Sequence, residues 1–373
     1  MVNSLRTGER VLSVPEVISI AALGDMFPND RFYNAGQPIV AGFRDTLEVL
    51  ASADLRLGSF LMPLSNRGEP TEKLSHIHAS PAIAQDLAHL QLDAVSLANN
   101  HIFDYGPLGL YDTQAALASI GVGSLGAGRN LDEATAPLYF ERKGRRIGVV
   151  AYSCLVPPGA AARPDRPGIA TIRVQSGFDI DAQWALEEPG EPEMIRIRTW
   201  TDKDEESRAL EQLRSMRNEV EMLCVSVHWG YGASEQLAEY VRPLGHVFVD
   251  AGADVVFGHH VHAPQGVEVY RGKPIFYSPA SFVGRQQAED PALLSELAAR
   301  LIAAMSDDGY ISLVEFDEGG VSAVELVPTV LERGLPVIGR GDVARRVIDR
   351  VMRLSQPLGT EFEVRGDRVA VIL

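Results

Sequence analysis

Apolar positions along the chain alternate between two rhythms. Short runs rich in β-branched and aromatic residues, at 17–23, 55–64, 93–97, 222–227 and 255–257, predict buried strands. Between them, apolar residues spaced three and four apart predict helices at 42–52, 81–90, 109–120, 204–221 and 234–251. Ser80 and Pro81 mark the start of the second helix, and Pro243 is expected to kink or split the last. The runs 138–140 and 146–153 flank Lys143-Gly144 and predict a hairpin, as do the residues around Arg271-Gly272-Lys273. Beyond residue 286 the pattern predicts a helix at 291–305 and strands at 310–316 and 321–327. A helix at 342–354 and a hairpin about Arg365-Gly366-Asp367 follow. Strands alternating with helices predict an α/β fold.

One stretch breaks the rhythm. Residues 156–200 are rich in Pro, Gly and acids and show little period. An irregular segment that long inside a compact domain is a binding loop, a lid or an insert. The expected organisation is therefore one domain over 1–373, with an insertion or lid at 156–200 and a C-terminal α+β extension at 286–373.

Polar residues of ligand type gather where the strands are expected to end. Asp25 closes the first run. Asn99-Asn100-His101 follows the strand at 93–97, with Asp104 and Tyr105 just beyond. His228 and Trp229 close the run at 222–227, and His259, His260 and His262 follow 255–257. On an extended backbone His260 and His262 face one side and His259 turns away. A carboxylate three residues after His101 can orient its ring, and an Asn amide oxygen is a competent ligand for a hard cation. Strands of one sheet that end in such groups place them along one crevice. By contrast, His76 and His78 read as part of a solvated loop.

Composition narrows the classes. A net charge of −16 argues against nucleic acid and anionic membrane surfaces as partners. Cys154 and Cys224 end apolar runs and read as buried free thiols. No signal peptide and no apolar run of membrane-spanning length is found, so a cytoplasmic protein is expected. Neither a PLP lysine motif nor a nicotinamide-type glycine loop is evident, so neither PLP nor NAD is expected.

The motifs Gly24-Asp25, Leu97-Ala98-Asn99-Asn100-His101 with Asp104 and Gly106, Ser226-Val227-His228-Trp229-Gly230 and Gly258-His259-His260-Val261-His262 carry a resemblance. So does Gly272-Lys273-Pro274-Ile275-Phe276-Tyr277-Ser278. Over roughly residues 18–285 the chain resembles the CapA-like family, named for poly-γ-glutamate capsule proteins, within the calcineurin-like metallophosphoesterase superfamily. The resemblance implies two stacked mixed β-sheets flanked by helices in four layers. It implies metal-ligand positions at Asp25, Asn100, His228, His260 and His262, a general acid/base at His101 and its partner at Asp104.

Leu61 stands where that family carries an acidic residue, and Ala280-Ser281 replaces its usual Gly-Asn. No anchor of the kind usual in that family is expected from the apolar pattern. These departures make it similar to the soluble branch of lasso-peptide biosynthesis, which epimerises the C-terminal residue of a precursor peptide. On that reading His101 with Asp104 is one acid/base. The other comes from His228, His260 or His262, with Asp25 as its carboxylate partner. Trp229, His259 and Tyr105 are assigned to substrate contact. A divalent ion would be Ca(II), Mn(II) or Zn(II). The alternatives are a metal-dependent phosphoesterase or other hydrolase, and a non-catalytic module binding poly-γ-glutamate or peptide.

Overall fold

The first strand, β1 (Ile18–Met26), is buried at all but one position, as an interior strand covered on both faces must be. It belongs to a computed structural model that describes residues 16–191, 194–232, 235–284 and 296–373. Nearly all of the lead-in expected at 1–16, and the start of the helix expected at 291–305, lie outside the described residues. Beside β1 run β2 (Leu55–Phe60), β3 (Ala94–Ser96) and β4 (Gly123–Leu125), each parallel to the last. Helices α1 (Phe43–Ala51) and α2 (Gly106–Ser119) bury Phe43, Leu50, Leu110 and Leu117 against one face of these strands.

A second sheet begins with the expected hairpin of β5 (Leu138–Arg142) and β6 (Arg145–Ser153). The stretch 156–200 is less irregular than its composition predicts. Within and just beyond it, β7 (Val174–Ile180) and β8 (Ile195–Thr201) pair as a separate antiparallel ribbon. Its Arg198 bridges to Asp179 and to Glu239, which also accepts the Thr199 N–H.

Helix α3 (Lys203–Arg217) leads into β9 (Met222–His228), which lies parallel to β6. Helix α4 (Val241–Asp250) then leads into β10 (Val255–His259), parallel to β9. Pro243 does not kink α4. It sits in the first turn, where a missing N–H costs nothing. The hairpin of β11 (Val267–Tyr270) and β12 (Lys273–Phe276) completes a six-stranded sheet.

The chain then returns to the first sheet. Short β13 (Ser281–Val283) pairs parallel to the end of β1. Strand β14 (Asp308–Asp317) runs antiparallel to its beginning, from Ile18 opposite Phe316 to Ala22 opposite Ser312. The segment read from sequence as an extension thus lies beside the first strand of the chain. With β15 (Gly320–Glu332), Leu335–Ile338 and the closing hairpin of Phe362–Arg365 and Arg368–Val371, this sheet reaches ten strands.

Apolar residues of both sheets meet in one cluster. It contains Ile20, Leu57 and Ala94 from the first and Val149, Cys224, Val255 and Phe257 from the second. Helix α5 (Asp342–Ser355) adds Val347, Ile348 and Val351 to it. Helices α3 and α4 cover the other side of the second sheet through Leu213, Met216, Leu244 and Phe248. Cys154 and Cys224 are buried and unpaired. Among the described residues no helix is long and apolar enough to cross a membrane.

One ion pair outside the strand ends holds the loop at 31–33. Asp86 is 1% exposed and accepts N–H groups from Phe32 and Tyr33 together with the Arg31 guanidinium. Burial pushes its carboxyl up, but these donors outweigh burial and hold it below its ordinary value. A depressed carboxyl stabilises the fold above its unfolded pKa, and that contribution is lost as pH falls through the folded value. Asp86→Ala is expected to cost about 2–4 kcal/mol near neutral pH, because it strands two N–H donors. Urea unfolding across pH tests this. The difference between wild type and variant should shrink as pH falls below about 4. A difference unchanged by acid would exclude the charge as its source.

Candidate functional site

Asp25 sits at the point where β1 changes partners. On one side its neighbour switches from antiparallel β14 to parallel β13 around Gly24. A Cβ on Gly24 would lie 2.0 Å from the Ala280 carbonyl oxygen, so only glycine permits this approach. The Asp25 N–H then donates to that same carbonyl, and Asp25 stands in register between Ser59 and Ser281.

The loop after β3 is folded by Asn99. Its Oδ1 accepts the N–H groups of His101 and Ile102, and its Nδ2 donates to the Phe60 carbonyl. This sets Asn100 Oδ1 2.9 Å from His228 Nε2, at the end of β9. The amide oxygen accepts, so His228 Nε2 donates and its Nδ1 carries the lone pair. That buried Nδ1 has no hydrogen-bond partner and lies 3.8 Å from Asp25 Oδ1, which has none either.

The three histidines after β10 do not continue an extended strand. His260 and His262 have φ of 95° and 55°, in the left-handed region that non-glycine residues avoid. The resulting curl points the His260 N–H at Asp25 Oδ2, 2.9 Å away. It brings His262 Nδ1 to 3.0 Å from Ser281 Oγ and 3.6 Å from Asp25 Oδ2. Ring centroids of His228 and His260 are 4.9 Å apart, and those of His260 and His262 6.2 Å. Alternation along a strand therefore anticipated the gathering of these rings but not the backbone that achieves it.

Burial dominates the electrostatics. It raises the Asp25 carboxyl despite His259 and the His260 N–H. It lowers His228 well below the usual imidazole value, with the neighbouring His260 ring adding to the effect. Burial and then the imidazoles beside them push His260 and His262 down to about 3. These rings are neutral at pH 7, the form needed for a proton acceptor or a metal ligand.

His101 lies at the rim. Its Nδ1 is 2.8 Å from Asp104 Oδ2, as the spacing predicts. Its side chain keeps 13% exposure, whereas Asp25 and His228 are at 0% and 1%. Asn100 and His260 are half-buried like His101, whereas Asp25 and His228 are buried.

Residues expected to touch substrate are placed otherwise in two cases. Trp229 is buried, and its indole N–H donates to the Tyr277 carbonyl inside the second sheet's helix-covered cluster. His259 faces inward, with its Nδ1 4.0 Å from Asp25 Oδ1. It pairs in register with His228 and lies on the face of β10 that carries Val255 and Phe257 into the cluster shared by both sheets. Tyr105 packs on the rings of His76 and His78 in the loop above His101. Leu61 is buried, donating its N–H to the Met26 carbonyl and packing in the first sheet's core.

Three residues escaped the sequence reading. Lys73 reaches Asp104, Asn100 and His101 from an aperiodic polar loop, where no spacing rule could find it. Ser59 and Ser281 flank Asp25 only because strands distant in sequence come into register.

The donors suit a divalent cation in kind. Asp25 Oδ1, His228 Nδ1 and His260 Nδ1 are buried polar atoms without partners, the rings are neutral, and Asn100 adds an amide oxygen. Among the described residues, no three His, Cys, Asp or Glu side chains are yet gathered closely enough to hold an ion.

Comparison with known proteins agrees with the strand-end motifs. The profile of the family described as bacterial capsule synthesis protein PGA_cap matches residues 19–286. A Mycobacterium tuberculosis protein described as a probable polyglutamine synthesis accessory protein is 30% identical, over 77% of this chain and 68% of its own length. The capsule biosynthesis protein CapA of Bacillus anthracis is 23% identical, over 89% of this chain and 71% of its own. An uncharacterized protein of Sinorhizobium fredii is 24% identical over 98% of this chain and 95% of its own.

Proposed function

The chain belongs to the bacterial capsule synthesis protein PGA_cap family, and from that premise we propose that it is an acid–base enzyme acting on a peptide chain. The sharpest form of the reading is an epimerase that inverts the Cα of the C-terminal residue of a ribosomally made precursor peptide. One observation carries it. Two half-buried imidazoles, His101 and His260, border a floor of buried polar groups, and His101 is backed by a buried carboxylate. Inversion needs a base on one face of Cα and an acid on the other, and two neutral imidazoles suit both tasks. His101 accepts or returns the proton at Nε2, while Asp104 holds Nδ1. His260 serves the opposite face, its backbone fixed by Asp25. Asp25, Asn100, His228 and His262 are the residues that would hold a divalent ion while the His260 ring is kept for the proton, and the ion when bound would offset negative charge developing on the substrate.

A second reading, in which the site binds or acts on a polymer rather than a precursor peptide, is supported by the names of two relatives, which concern polyglutamine synthesis and capsule biosynthesis. A two-metal phosphoesterase is disfavoured by Leu61, which leaves no carboxylate at the second-ion position.

Incubation with a candidate precursor peptide in D₂O, with added Mn(II), Ca(II) or Zn(II), tests the proposal. One deuterium at the C-terminal Cα, with the D-isomer appearing, is expected. Cleavage of the peptide, or of poly-γ-glutamate alone, would replace epimerisation with hydrolysis.

A further inference from the structure

The ribbon of β7 and β8 leaves an apolar face in solvent. Side chains alternate across its register, so Phe178, Ile180, Ile195 and Ile197 share one face, with Phe178 opposite Ile197 and Ile180 opposite Ile195. Their exposures run from 45% to 70%. The helical turn that joins the strands, Ala182–Glu187, exposes Trp184 and Leu186 as well. Among the described residues, six of the fifteen large apolar side chains left in solvent therefore lie between positions 178 and 197. Scattered exposed apolar residues need no explanation, but a gathered patch marks a contact surface. A two-stranded ribbon is also marginal by itself, and among the described residues neither strand pairs with a third.

The base of the ribbon stands beside the strand-end site. Val174, on the same face, packs against the cluster that contains Trp229 and Tyr240. Glu239 accepts the Thr199 N–H and pairs with Arg198, and the next residue, Tyr240, accepts the Gly230 N–H at its hydroxyl, 2.7 Å away. Gly230 is two residues beyond His228. Charge selects the occupant of the face. From Phe178 to Ile197 the sequence has six acidic residues and one basic, Arg196. With a net charge of −16 behind them, these carboxylates repel a second copy of the chain and any polyanion, and they attract a cation.

We propose that this face docks an apolar segment of the peptide substrate that carries lysine or arginine and lies outside the residue that reaches the strand ends. Apolar side chains of the segment cover Phe178, Ile180, Ile195 and Ile197, and its cations meet the carboxylates at 181–191. The proposal rests on the substrate being a peptide and adds where the remainder of that peptide is held.

A fluorescein-labelled peptide with a leucine–isoleucine stretch flanked by lysines, titrated with the full chain and read by anisotropy, tests this. Phe178→Ser/Ile197→Ser should weaken binding about tenfold or more, since both side chains lose apolar burial. Glu187→Lys/Glu188→Lys should weaken it too and make it less sensitive to salt. Val364→Ser, at an apolar residue exposed on the closing hairpin, should leave it unchanged. All of these side chains are exposed, and circular dichroism checks that each variant folds. Ile180→Ser/Ile195→Ser replaces the first pair if that pair does not. No binding, equal binding of a peptide with glutamates in place of the lysines, or an affinity unchanged in either double variant overturns the proposal. So does sedimentation showing a dimer that Phe178→Ser/Ile197→Ser dissociates, which would give the face to a second copy. Peptide exchange in D₂O is measured on the same variants. Exchange without docking would overturn this proposal alone, and docking without exchange would overturn only the proposed chemistry.

Discussion

His101→Ala is expected to lower turnover about 10²–10⁴-fold, the usual contribution of a positioned acid or base. Its unfolding free energy should stay within about 1 kcal/mol of wild type, because the ring sits at the rim. Asp104 keeps the Ile77 N–H and Lys73 after the truncation, so the carboxylate is not left bare. His260→Ala should separate the two faces. Exchange of the Cα proton of one epimer with D₂O should outlast net inversion, since one base remains. Peptide exchange measured by mass spectrometry, beside urea unfolding of the same samples, distinguishes lost chemistry from lost structure. A near-normal rate in His101→Ala would remove this residue from the proposed chemistry.

Gly258→Ala should act through structure and cost more than about 3 kcal/mol. A Cβ at this position would lie 2.2 Å from Trp229 Nε1 and 2.4 Å and 2.7 Å from the carbonyl oxygens of Tyr277 and Phe276. The carbonyls belong to backbone held at the end of β12 and cannot swing aside as a flexible side chain would. The intrusion also breaks the bond from the Trp229 indole to the Tyr277 carbonyl. Since His259 and His260 follow directly, the curl that aims the His260 N–H at Asp25 should be displaced as well. Chemical denaturation reads the loss, and an alanine variant of wild-type stability would mean that Trp229 and the backbone at 276–277 yield more easily around β10 than their packing implies.

The strands and most helices were legible because burial on both faces writes continuous apolar runs. The hairpins at Lys143-Gly144 and Arg271-Gly272 were legible because turn chemistry is local. Parallel strands deliver their ends to one edge of each sheet, so Asp25 and Asn100 were foreseeable as one group and His228, His260 and His262 as another. That the two groups meet is a relation between two sheets, not the single-sheet crevice expected from spacing. What sequence could not supply were relations between distant segments. Nothing local announces that Asp25 lies between Ser59 and Ser281, or that an aperiodic loop returns Lys73 to Asp104. The ribbon of β7 and β8 was hidden by the acids and prolines around it. Trp229 and His259 were given to substrate because proximity in sequence to His228 and His260 says nothing about which way a ring turns.

The place of β14 beside β1 bears on how the chain is made. The edge of β1 from Ile18 to Ala22 is paired by residues 312–316. At about 5–20 residues per second, a ribosome needs roughly 15–60 s between delivering the two. Through that interval β1 can join β2, while its other edge stays open and apolar. A nascent chain in this state offers a template for stray strand pairing, so demand for a holding chaperone should peak before residue 316 emerges and fall sharply afterward.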